Sequence, residues 1–280
     1  MVVDCHTHLG ADAGYAEASE HLAAAEAVDA CIVLASSDGS SEQINKKLAD
    51  YVEKHKDKMV GFAVVEPTAD GIERGDLKAI RDKLDLKGLV LYCSGHGFHP
   101  AHSNAMRLYE SAADLGLPVF FHNGDASAKA GAVLEYAQPY LLDEVARAFP
   151  RLKIVVGNMG APFVEQTFSL IGKHENVYGD LTVQPTSVWQ LYNTVVGAYE
   201  RGAMDKLVFG SGFPCGKATE CIETLLGFNM LLSDTNLPTV PRDSIRRIIE
   251  RDTLGLLGIN GWAGKDKVSD NREHGERTVE

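Results

Sequence analysis

Two patterns of apolar and polar residues repeat in turn along this chain. Short runs rich in valine, isoleucine and leucine predict buried strands, and each is followed by a longer stretch with the three-to-four-residue spacing of an amphipathic helix. The predicted strands are Val2–His6, Cys31–Ser36, Val60–Val65, Gly88–Tyr92, Pro118–His122, Lys153–Gly157, Asn176–Leu181 and Leu207–Ser211. The predicted helices are Glu17–Ala27, Ser41–His55, Ile72–Leu84, Asn104–Leu115, Pro139–Phe149, Ala161–Lys173, Val188–Arg201 and Thr219–Leu232, with a final helix around Ile245–Ile249.

Eight alternations of strand and helix fit either an open doubly wound sheet or a closed (β/α)8 TIM barrel. We favour the barrel because the count is eight and because no G-x-G-x-x-G turn follows the first strand. Polar residues also lie at nearly every strand end, where barrel enzymes place their active sites. The alternative explanation is that strands end in polar residues because loops begin there. That explanation accounts poorly for the histidines at these ends. The end residues are His6, His8, Ser36, Glu66, Cys93, His122, Asn123, Asn158, Asp180, Thr182 and Ser211.

The length of 280 residues predicts one barrel domain over residues 1–260. Residues 261–280 are rich in charge and poor in apolar side chains, which predicts a flexible tail or a segment that wraps the surface. Ser40 and Gln43 have the spacing of a capping box at the start of the second helix.

The formal charge of −12 argues against nucleic acid or an anionic membrane as the main partner. Five dispersed cysteines are typical of reduced thiols. The first residues lack the pattern of a signal peptide, so a cytoplasmic protein is expected. The expected partners are a small-molecule substrate and, as one option, a second copy of the chain in a homodimer.

The sharpest chemical signal is His6-Thr7-His8 at the end of the first strand. Residues two apart on a strand face the same side, so both imidazoles would converge at the barrel mouth. His122 ends the fifth strand and would reach the same mouth. Three neutral imidazoles can hold zinc and leave one coordination position open. The alternative is a set of rim histidines bonded to backbone carbonyls.

Several segments resemble the amidohydrolase-related family, in the branch that contains aminocarboxymuconate semialdehyde decarboxylase. They are DCHTHLG, LKGLVLY followed by GFHP, LGLPVFFHNG, QPYLLDEVARAFPRLKIVVGNMG, ENVYGDLT and KLVFGSGFP, and the resemblance spans Val2 to about Ile259. It implies a (β/α)8 barrel with a divalent metal, usually zinc, at the carboxyl face. It also implies that His6, His8 and His122 are metal ligands.

The sequence departs from the family pattern at two positions. The sixth strand normally ends in a histidine beside the metal, and here Asn158 stands in that segment. The eighth strand normally carries an aspartate that binds the metal and accepts protons, and here Gly212 takes its place. Asn158 can orient a substrate oxygen but cannot carry a proton. The loss of the aspartate should weaken metal binding.

Three carboxylates could take over from the missing acid. Asp180 ends the strand next to the eighth and is the first choice, with Asn158 as the second predicted catalytic residue. The alternative for Asp180 is a carboxylate that orients a histidine. Glu66 and Asp125 are the other two carboxylates, and Glu66 is also a candidate for substrate binding or for fixing the course of the loop.

The loop after the fourth strand contains His96, His99 and His102. Such a loop could contact substrate, hold a second metal or act as a pH-sensitive lid, or its histidines could simply be exposed to solvent. We expect substrate contact from His96, His99 and the amide of Asn123. His21, His55 and His174 are interpreted as ordinary surface histidines, and Cys215 as a buried or rim thiol.

These predictions support two hypotheses. The first is a metal-dependent hydrolase or non-oxidative decarboxylase that acts on a small polar, carboxylated substrate, with zinc as the expected ion. The second is a catalytically impaired barrel that keeps its pocket as a binding or regulatory protein. A chain altered from a parent that had the aspartate is a third explanation of Gly212.

Overall fold

Eight parallel strands form the inner layer of the structure, a computed structural model that describes residues 1–9, 15–68, 72–124 and 129–264. The strands are β1 Val3–His8, β2 Ala30–Leu34, β3 Met59–Val64, β4 Gly88–Leu91, β5 Val119–Phe121, β6 Ile154–Val156, β7 Val177–Thr182 and β8 Leu207–Gly210. Each pairs with the next in chain order. The ring closes where the backbone N–H of His8 donates to the carbonyl of Phe213 (2.9 Å) and that of Gly212 donates to His6 (2.8 Å). The predicted (β/α)8 barrel is confirmed.

Helices surround the strands and bury their apolar faces against them. They are α1 Tyr15–Ala24, α2 Ser41–Lys54, α3 Arg74–Asp82, α4 Cys93–His96, α5 Ser103–Leu115, α6 Leu142–Ala148, α7 Val164–Lys173, α8 Val188–Glu200, α9 Ala218–Leu226, α10 Arg242–Ile249 and α11 Thr253–Leu256. Helix α2 shows the principle, since Ile44, Leu48 and Val52 are buried at helical spacing. No helix in the described ranges is both long and apolar enough to cross a bilayer.

Some predicted helix boundaries were wrong. The predicted helix Thr219–Leu232 divides at Gly227 into α9 and a 3-10 segment, Phe228–Leu232. The predicted capping box is also absent, because the Ser40 side chain makes no hydrogen bond to the start of α2. The first turn of α2 is exposed there, and water can satisfy its N–H groups. A capping box does form at α3, between Glu73 and Asp76.

Strand β1 runs two residues further than predicted and contains a β-bulge. Asp4 pairs with Cys31 and Thr7 with Val33, so β1 has one residue more than β2 in this interval. Oδ1 of Asp4 accepts the backbone N–H of His6 (3.2 Å) and of Ser211 (2.9 Å) and so joins β1 to the end of β8. Burial raises the pKa of Asp4 to about 6. The bulged interval includes His6, so the bulge helps to set the position of the histidine pair.

The predicted polar tail begins with residues that pack on the barrel. Trp262 is only 6% exposed and belongs to the hydrophobic core. It lines a hollow with Val52, Met59 and Val60 at the amino ends of the strands. Residues 261–264 therefore behave as a surface-wrapping segment, and residues 265–280 lie outside the described part of the chain.

Candidate active site

Three histidines meet at the carboxyl end of the barrel. His8 is the last residue of β1, and His6 lies two residues before it on the same face of the strand. His122 directly follows β5. One ring nitrogen from each lies within 4.8 Å of the others. The three ring centroids are 4.9 to 5.1 Å apart in edge-to-face arrangements. This is the geometry of a group that could hold a metal ion, and the three predicted ligands are brought together.

The hydrogen bonds of His6 and His8 fix which ring nitrogens face the centre. Nδ1 of His6 lies 2.6 Å from a carboxylate oxygen of Asp180, and Nδ1 of His8 lies 3.3 Å from the carbonyl of Leu34. Because both partners are acceptors, each Nδ1 carries the hydrogen in the neutral ring. Both Nε2 atoms then present lone pairs to each other across 2.9 Å. Two lone pairs at this distance repel unless a proton or a metal ion is shared between the two nitrogens.

Burial keeps two of the three imidazoles neutral. It lowers the pKa of His8 to about 3, with the neighbouring His6 as a second cause. Burial also lowers the pKa of His122 well below its usual range, with His8 and His6 adding to the effect. Nδ1 of His122 is buried and has no hydrogen-bond partner among the described residues. Neutral rings with free lone pairs are the form of histidine that binds metal ions.

Asp180 lies at the centre of a hydrogen-bond network behind the histidines. Its Oδ2 accepts from Nδ1 of His6 (2.6 Å), the backbone N–H of Asn158 (2.9 Å) and the hydroxyl of Thr182 (2.6 Å). The thiol of Cys5 lies 3.5 Å from Oδ1. Asp180 is fully buried and faces the Nδ1 side of His6, away from the meeting point of the Nε2 atoms. Of the two roles considered for Asp180, this placement is that of a carboxylate that orients a histidine.

Asn158 belongs to a tight turn after β6, Gly157–Gly160, and has a left-handed backbone with φ of 51°. Its backbone N–H bonds to Asp180, which holds this unusual conformation in place. Its Oδ1 is buried without a hydrogen-bond partner among the described residues. A Cβ atom on Gly124 would lie 3.4 Å from Oδ1 and 2.8 Å from the His122 ring, so only glycine fits between them.

A pocket of about 200 Å³ opens beside the histidine group. Asn123, Asn158 and Thr182 line it, so it shares residues with the network around Asp180. Buried apolar side chains from β7 and α8 form another part of its wall, and polar side chains stand at its rim. The remaining lining residues are Gly124, Met159, Ala161, Leu181, Gln184, Ser187, Gln190, Leu191 and Thr194.

A comparison with protein families now identifies the chain. The family profile described as amidohydrolase matches residues 3–225. The chain belongs to the amidohydrolase family. The match extends from β1 into α9, and so includes all eight strands and every residue of the histidine group. Comparison with proteins of curated function finds no match.

Solved structures of similar fold include hydrolases and decarboxylases. A probable 2-pyrone-4,6-dicarboxylic acid hydrolase from Acinetobacter baumannii, with citric acid bound, is 14% identical over 92% of this chain and 99% of its own, with a TM-score of 0.66. A 2,6-dihydroxybenzoate decarboxylase from Rhizobium is 13% identical over 93% and 99%, with a TM-score of 0.65. A dihydroxybenzoic acid decarboxylase from Polaromonas sp. JS666, with bound manganese and an inhibitor, is 14% identical over 93% and 97%, with a TM-score of 0.61. At these identities the likeness concerns the fold.

In this chain the end of β8 offers no carboxylate to the histidine group. Gly212 has φ of +67°, and a Cβ atom there would lie 2.7 Å from Cγ2 of Thr182. Within the described ranges, the group of possible metal-binding side chains consists of the three histidines alone. A metal ion held there would therefore have neutral protein ligands.

Of the residues predicted to contact substrate, Asn123 lies at the pocket, whereas Glu66, His96 and His99 lie outside its lining. Asn123 lines the pocket, and its amide donates to the carbonyl of Ala137 (2.6 Å). A carboxylate oxygen of Glu66 lies 3.8 Å from Nδ1 of His96, a nitrogen without a hydrogen-bond partner among the described residues. Nδ1 of His99 accepts the backbone N–H of Ala101 (3.0 Å). Asp125 lies outside the described residues.

Two residues were not predicted correctly from the sequence. The ring of Tyr92 lies 4.7 Å from His122 and 5.8 Å from His96, and its position at the end of β4 was the available signal. His21 was wrongly interpreted as a surface residue. It is fully buried, and its Nδ1 lies 2.8 Å from the Tyr51 hydroxyl. Cys215 is exposed.

Proposed function

We propose that this chain is a metal-dependent hydrolase that acts on a small polar molecule at the carboxyl end of its barrel. His6, His8 and His122 would hold one divalent ion, and zinc is the ion we propose because it accepts three imidazoles and keeps an open position. The observation that carries the proposal is the pair of Nε2 atoms 2.9 Å apart, which face each other with lone pairs.

The donor set fits a divalent metal ion. The three histidines offer ring nitrogens to one point, and Nδ1 of His122 has no hydrogen-bond partner among the described residues. An ion bound by such ligands polarises carbonyl oxygens and lowers the pKa of water. Manganese is named in the structure from Polaromonas, so metal identity is part of the test.

The chain's own residues would position this chemistry. Asp180 keeps the hydrogen of His6 on Nδ1 and so leaves Nε2 free to bind. Thr182 donates its hydroxyl hydrogen to the same carboxylate and holds it in place. Asn158 can accept a hydrogen bond from a substrate group but cannot transfer a proton. Its Oδ1 is buried near His122, and the residue lines the pocket.

Hydrolysis is favoured over decarboxylation by the uncharged lining of the pocket beside the histidine group. A carboxylate substrate away from the metal needs a cationic partner, and the described pocket lining contains none. The carboxylated substrate implied by the family resemblance thus finds no support in that lining. The fold neighbours include enzymes of both kinds.

The second candidate is a barrel that binds a small molecule with little or no catalysis. One specific observation favours it: Gly212 supplies no carboxylate, and Asp180 is fully engaged in other hydrogen bonds. Proton transfer would then depend on water molecules. Both candidate functions place a small molecule in the pocket, but only the hydrolase is expected to turn it over.

Elemental analysis of protein purified without added metal tests the proposal. We expect about one zinc ion per chain in the unaltered protein and much less zinc in His6→Ala and in His8→Ala. His174→Ala is the control and should keep its zinc, because that imidazole bonds to Asp143 and does not belong to the histidine group. Metal content near background in the unaltered protein would contradict the proposal. A panel of small esters, lactones and cyclic amides should reveal hydrolysis that stops with a chelator and returns with zinc. One bound ion without any turnover would favour the binding protein.

A further inference from the structure

Helix α8 presents a second face that the pocket does not use. Gln190, Leu191 and Thr194 line the pocket, whereas Trp189 and Asn193 do not belong to its described lining. We propose that this second face pairs with the same face of a second copy of the chain, with the two α8 helices antiparallel across a two-fold axis. The proposal requires neither metal nor turnover, so it goes beyond the proposed function and does not rest on it.

Trp189 is an exposed aromatic residue that is already held in place. It is 67% exposed, and its ring stacks on that of Tyr192 with the ring centroids 5.6 Å apart. Tyr192 stacks in turn on the buried Phe228 at 5.9 Å. The stack orders the indole before any partner arrives, so little conformational entropy is lost on association. Ordered tryptophans of this kind contribute much of the binding energy at protein interfaces.

Further exposed apolar residues adjoin this stack. Met230 is 78% exposed and follows Phe228 by two residues in the same 3-10 segment. Leu237 is exposed and precedes Pro238, whose carbonyl oxygen lies 3.5 Å from the hydroxyl of Tyr192. An exposed apolar surface formed by several side chains marks a site of interaction. The α8 face consists of Val188, Trp189, Asn193, Met230 and Leu237.

The charge pattern of the chain favours a second copy as the partner. The chain has a formal charge of −12, but residues 181–199 contain no Asp, Glu, Lys or Arg. Two copies with this net charge repel each other least where the surfaces that meet are uncharged. A two-fold axis brings identical surfaces together, so the apolar α8 face meets an equally apolar face.

The two ends of α8 favour the antiparallel arrangement. Its first turn has no acidic residue, and the side chain of Ser187 does not cap its amino end. Glu200 is exposed at the carboxyl end, where the helix dipole disfavours a negative charge, and the neighbouring Arg201 bonds instead to Glu165 (2.6 Å). In an antiparallel pair each Glu200 lies beside the uncapped amino end of the other helix, where the dipole favours its charge.

Helical spacing defines which residues meet in this pair. Trp189, Asn193 and Glu200 are separated by four and seven residues, so they lie along one side of α8. When Trp189 packs against the stem of the partner's Glu200, the axis passes close to Asn193. The two Asn193 residues are then offset by only about 5 Å along the helices.

Sedimentation velocity over a concentration series of the full chain tests the proposal. We expect a species of twice the chain mass of 30.3 kDa at micromolar concentration. Trp189→Glu should raise the Kd of the dimer at least about a hundredfold, because a symmetric interface loses this residue twice. Tyr140→Glu is the matched control, since Tyr140 is an exposed aromatic residue outside the α8 face, and it should leave the Kd within about twofold. Circular dichroism of the dilute proteins should be the same for both variants.

Glu200→Lys separates the antiparallel arrangement from other dimers. The substitution reduces the net negative charge of each chain by two, which by itself favours association. In the antiparallel pair it instead places a cation beside the partner's amino end and should weaken the dimer about fivefold at low salt. Glu110→Lys makes the same change of charge at an exposed position of α5 and should not weaken the dimer.

Cross-linking tests the position of the axis without altering Trp189. Cys215 is the exposed native thiol, so the variants are made in a Cys215→Ser background. A short bismaleimide should join two copies of Asn193→Cys and should not join two copies of Tyr140→Cys.

A chain that stays monomeric up to about 100 μM would overturn the proposal. A dimer that Trp189→Glu leaves intact, that Glu200→Lys strengthens or that Asn193→Cys fails to cross-link would overturn it as well. Binding of a monomeric chain to phosphatidylcholine vesicles, lost in Trp189→Glu, would also overturn it and would assign the α8 face to a membrane surface. Metal content and turnover do not enter these measurements, so the proposed function can fail while the dimer stands.

Discussion

At the residue scale, Asp180 joins the histidine group to the pocket. One carboxylate oxygen accepts hydrogen bonds from His6, from the backbone of Asn158 and from Thr182. The first of these bonds sets the tautomer of a predicted metal ligand, and the other two fix residues of the pocket wall. The geometry of the histidine group and the shape of the pocket therefore depend on the same buried side chain.

Replacing Asp180 by asparagine should weaken metal binding by about 10- to 100-fold, the usual effect of removing a carboxylate that orients a ligating histidine. The neutral amide accepts a weaker bond from His6 and can turn an N–H toward the other two donors. Competition with a chromophoric chelator measures the affinity. Asp143→Asn, at a carboxylate bonded to Lys173 and His174, is the control and should have no effect. An unchanged affinity in Asp180→Asn would show that His6 needs no orienting partner.

Gly212 is a second residue whose role depends on local geometry. From the sequence alone, an aspartate at this position is expected to strengthen metal binding. The backbone there is left-handed, however, and the new Cβ would meet Cγ2 of Thr182 at 2.7 Å. We expect Gly212→Asp to lower the free energy of unfolding by about 1–2 kcal/mol. Chemical denaturation measures the change.

The Thr182→Ser change supplies a test of that cause. Serine keeps the hydroxyl that bonds Asp180 and removes the methyl group that the new side chain would meet. The double variant should therefore recover part of the stability lost in Gly212→Asp, with Thr182→Ser alone as the reference. If the double variant recovers nothing, the contact with Thr182 is not the source of the loss.

At the element scale, the sequence predicted the strands and most helices because their apolar periodicity is strong. It did not predict the bulge in β1, since pairing register depends on the neighbouring strand. It also misjudged His21. In α1, nothing in the local pattern separates a buried imidazole from an exposed one, and only the packing of α1 against Tyr51 and Phe213 decides it.

The burial of His21 predicts a pH-dependent stability. Burial, with His55 as a second cause, lowers its pKa to about 4 from the ordinary 6.5. Between these values the unfolded chain binds the proton and the folded chain does not, so stability is lost as the pH falls from about 6.5 to about 4. The full shift corresponds to about 3 kcal/mol.

Denaturation curves between pH 4 and 7 for the unaltered protein and for His21→Phe measure this contribution. The difference in the free energy of unfolding between the two proteins should change by about 3 kcal/mol between pH 4 and pH 6.5 and stay constant above that pH. His55→Gln removes the second cause of the lowered pKa of His21 and should reduce the pH dependence only slightly, because burial is the main cause. Parallel curves for His21→Phe and the unaltered protein would show that His21 titrates normally.

At the scale of the whole molecule, the fold could be predicted more completely than the site. The positions of His6, His8 and His122 followed from strand ends, because parallel strands of a barrel all point one way. Strand ends did not predict three other features of the site. These are the network around Asp180, the turn at Asn158 and the pocket beside that turn. These depend on backbone torsion angles and on side chains from separate strands, which no local pattern in the sequence encodes.

The barrel also separates its functional end from an end that contributes stability. The histidine group and the pocket lie at the carboxyl ends of the strands, and Trp262 covers the amino ends near Met59 and Val60. Trp262→Ala should lower the free energy of unfolding by about 3 kcal/mol, as expected for a buried tryptophan, and leave metal affinity within twofold. Trp189→Ala is the matched control, because the only other tryptophan is 67% exposed and should cost less than about 1 kcal/mol. A loss of metal affinity in Trp262→Ala under conditions where the variant remains folded would show instead that the two ends of the barrel are energetically coupled.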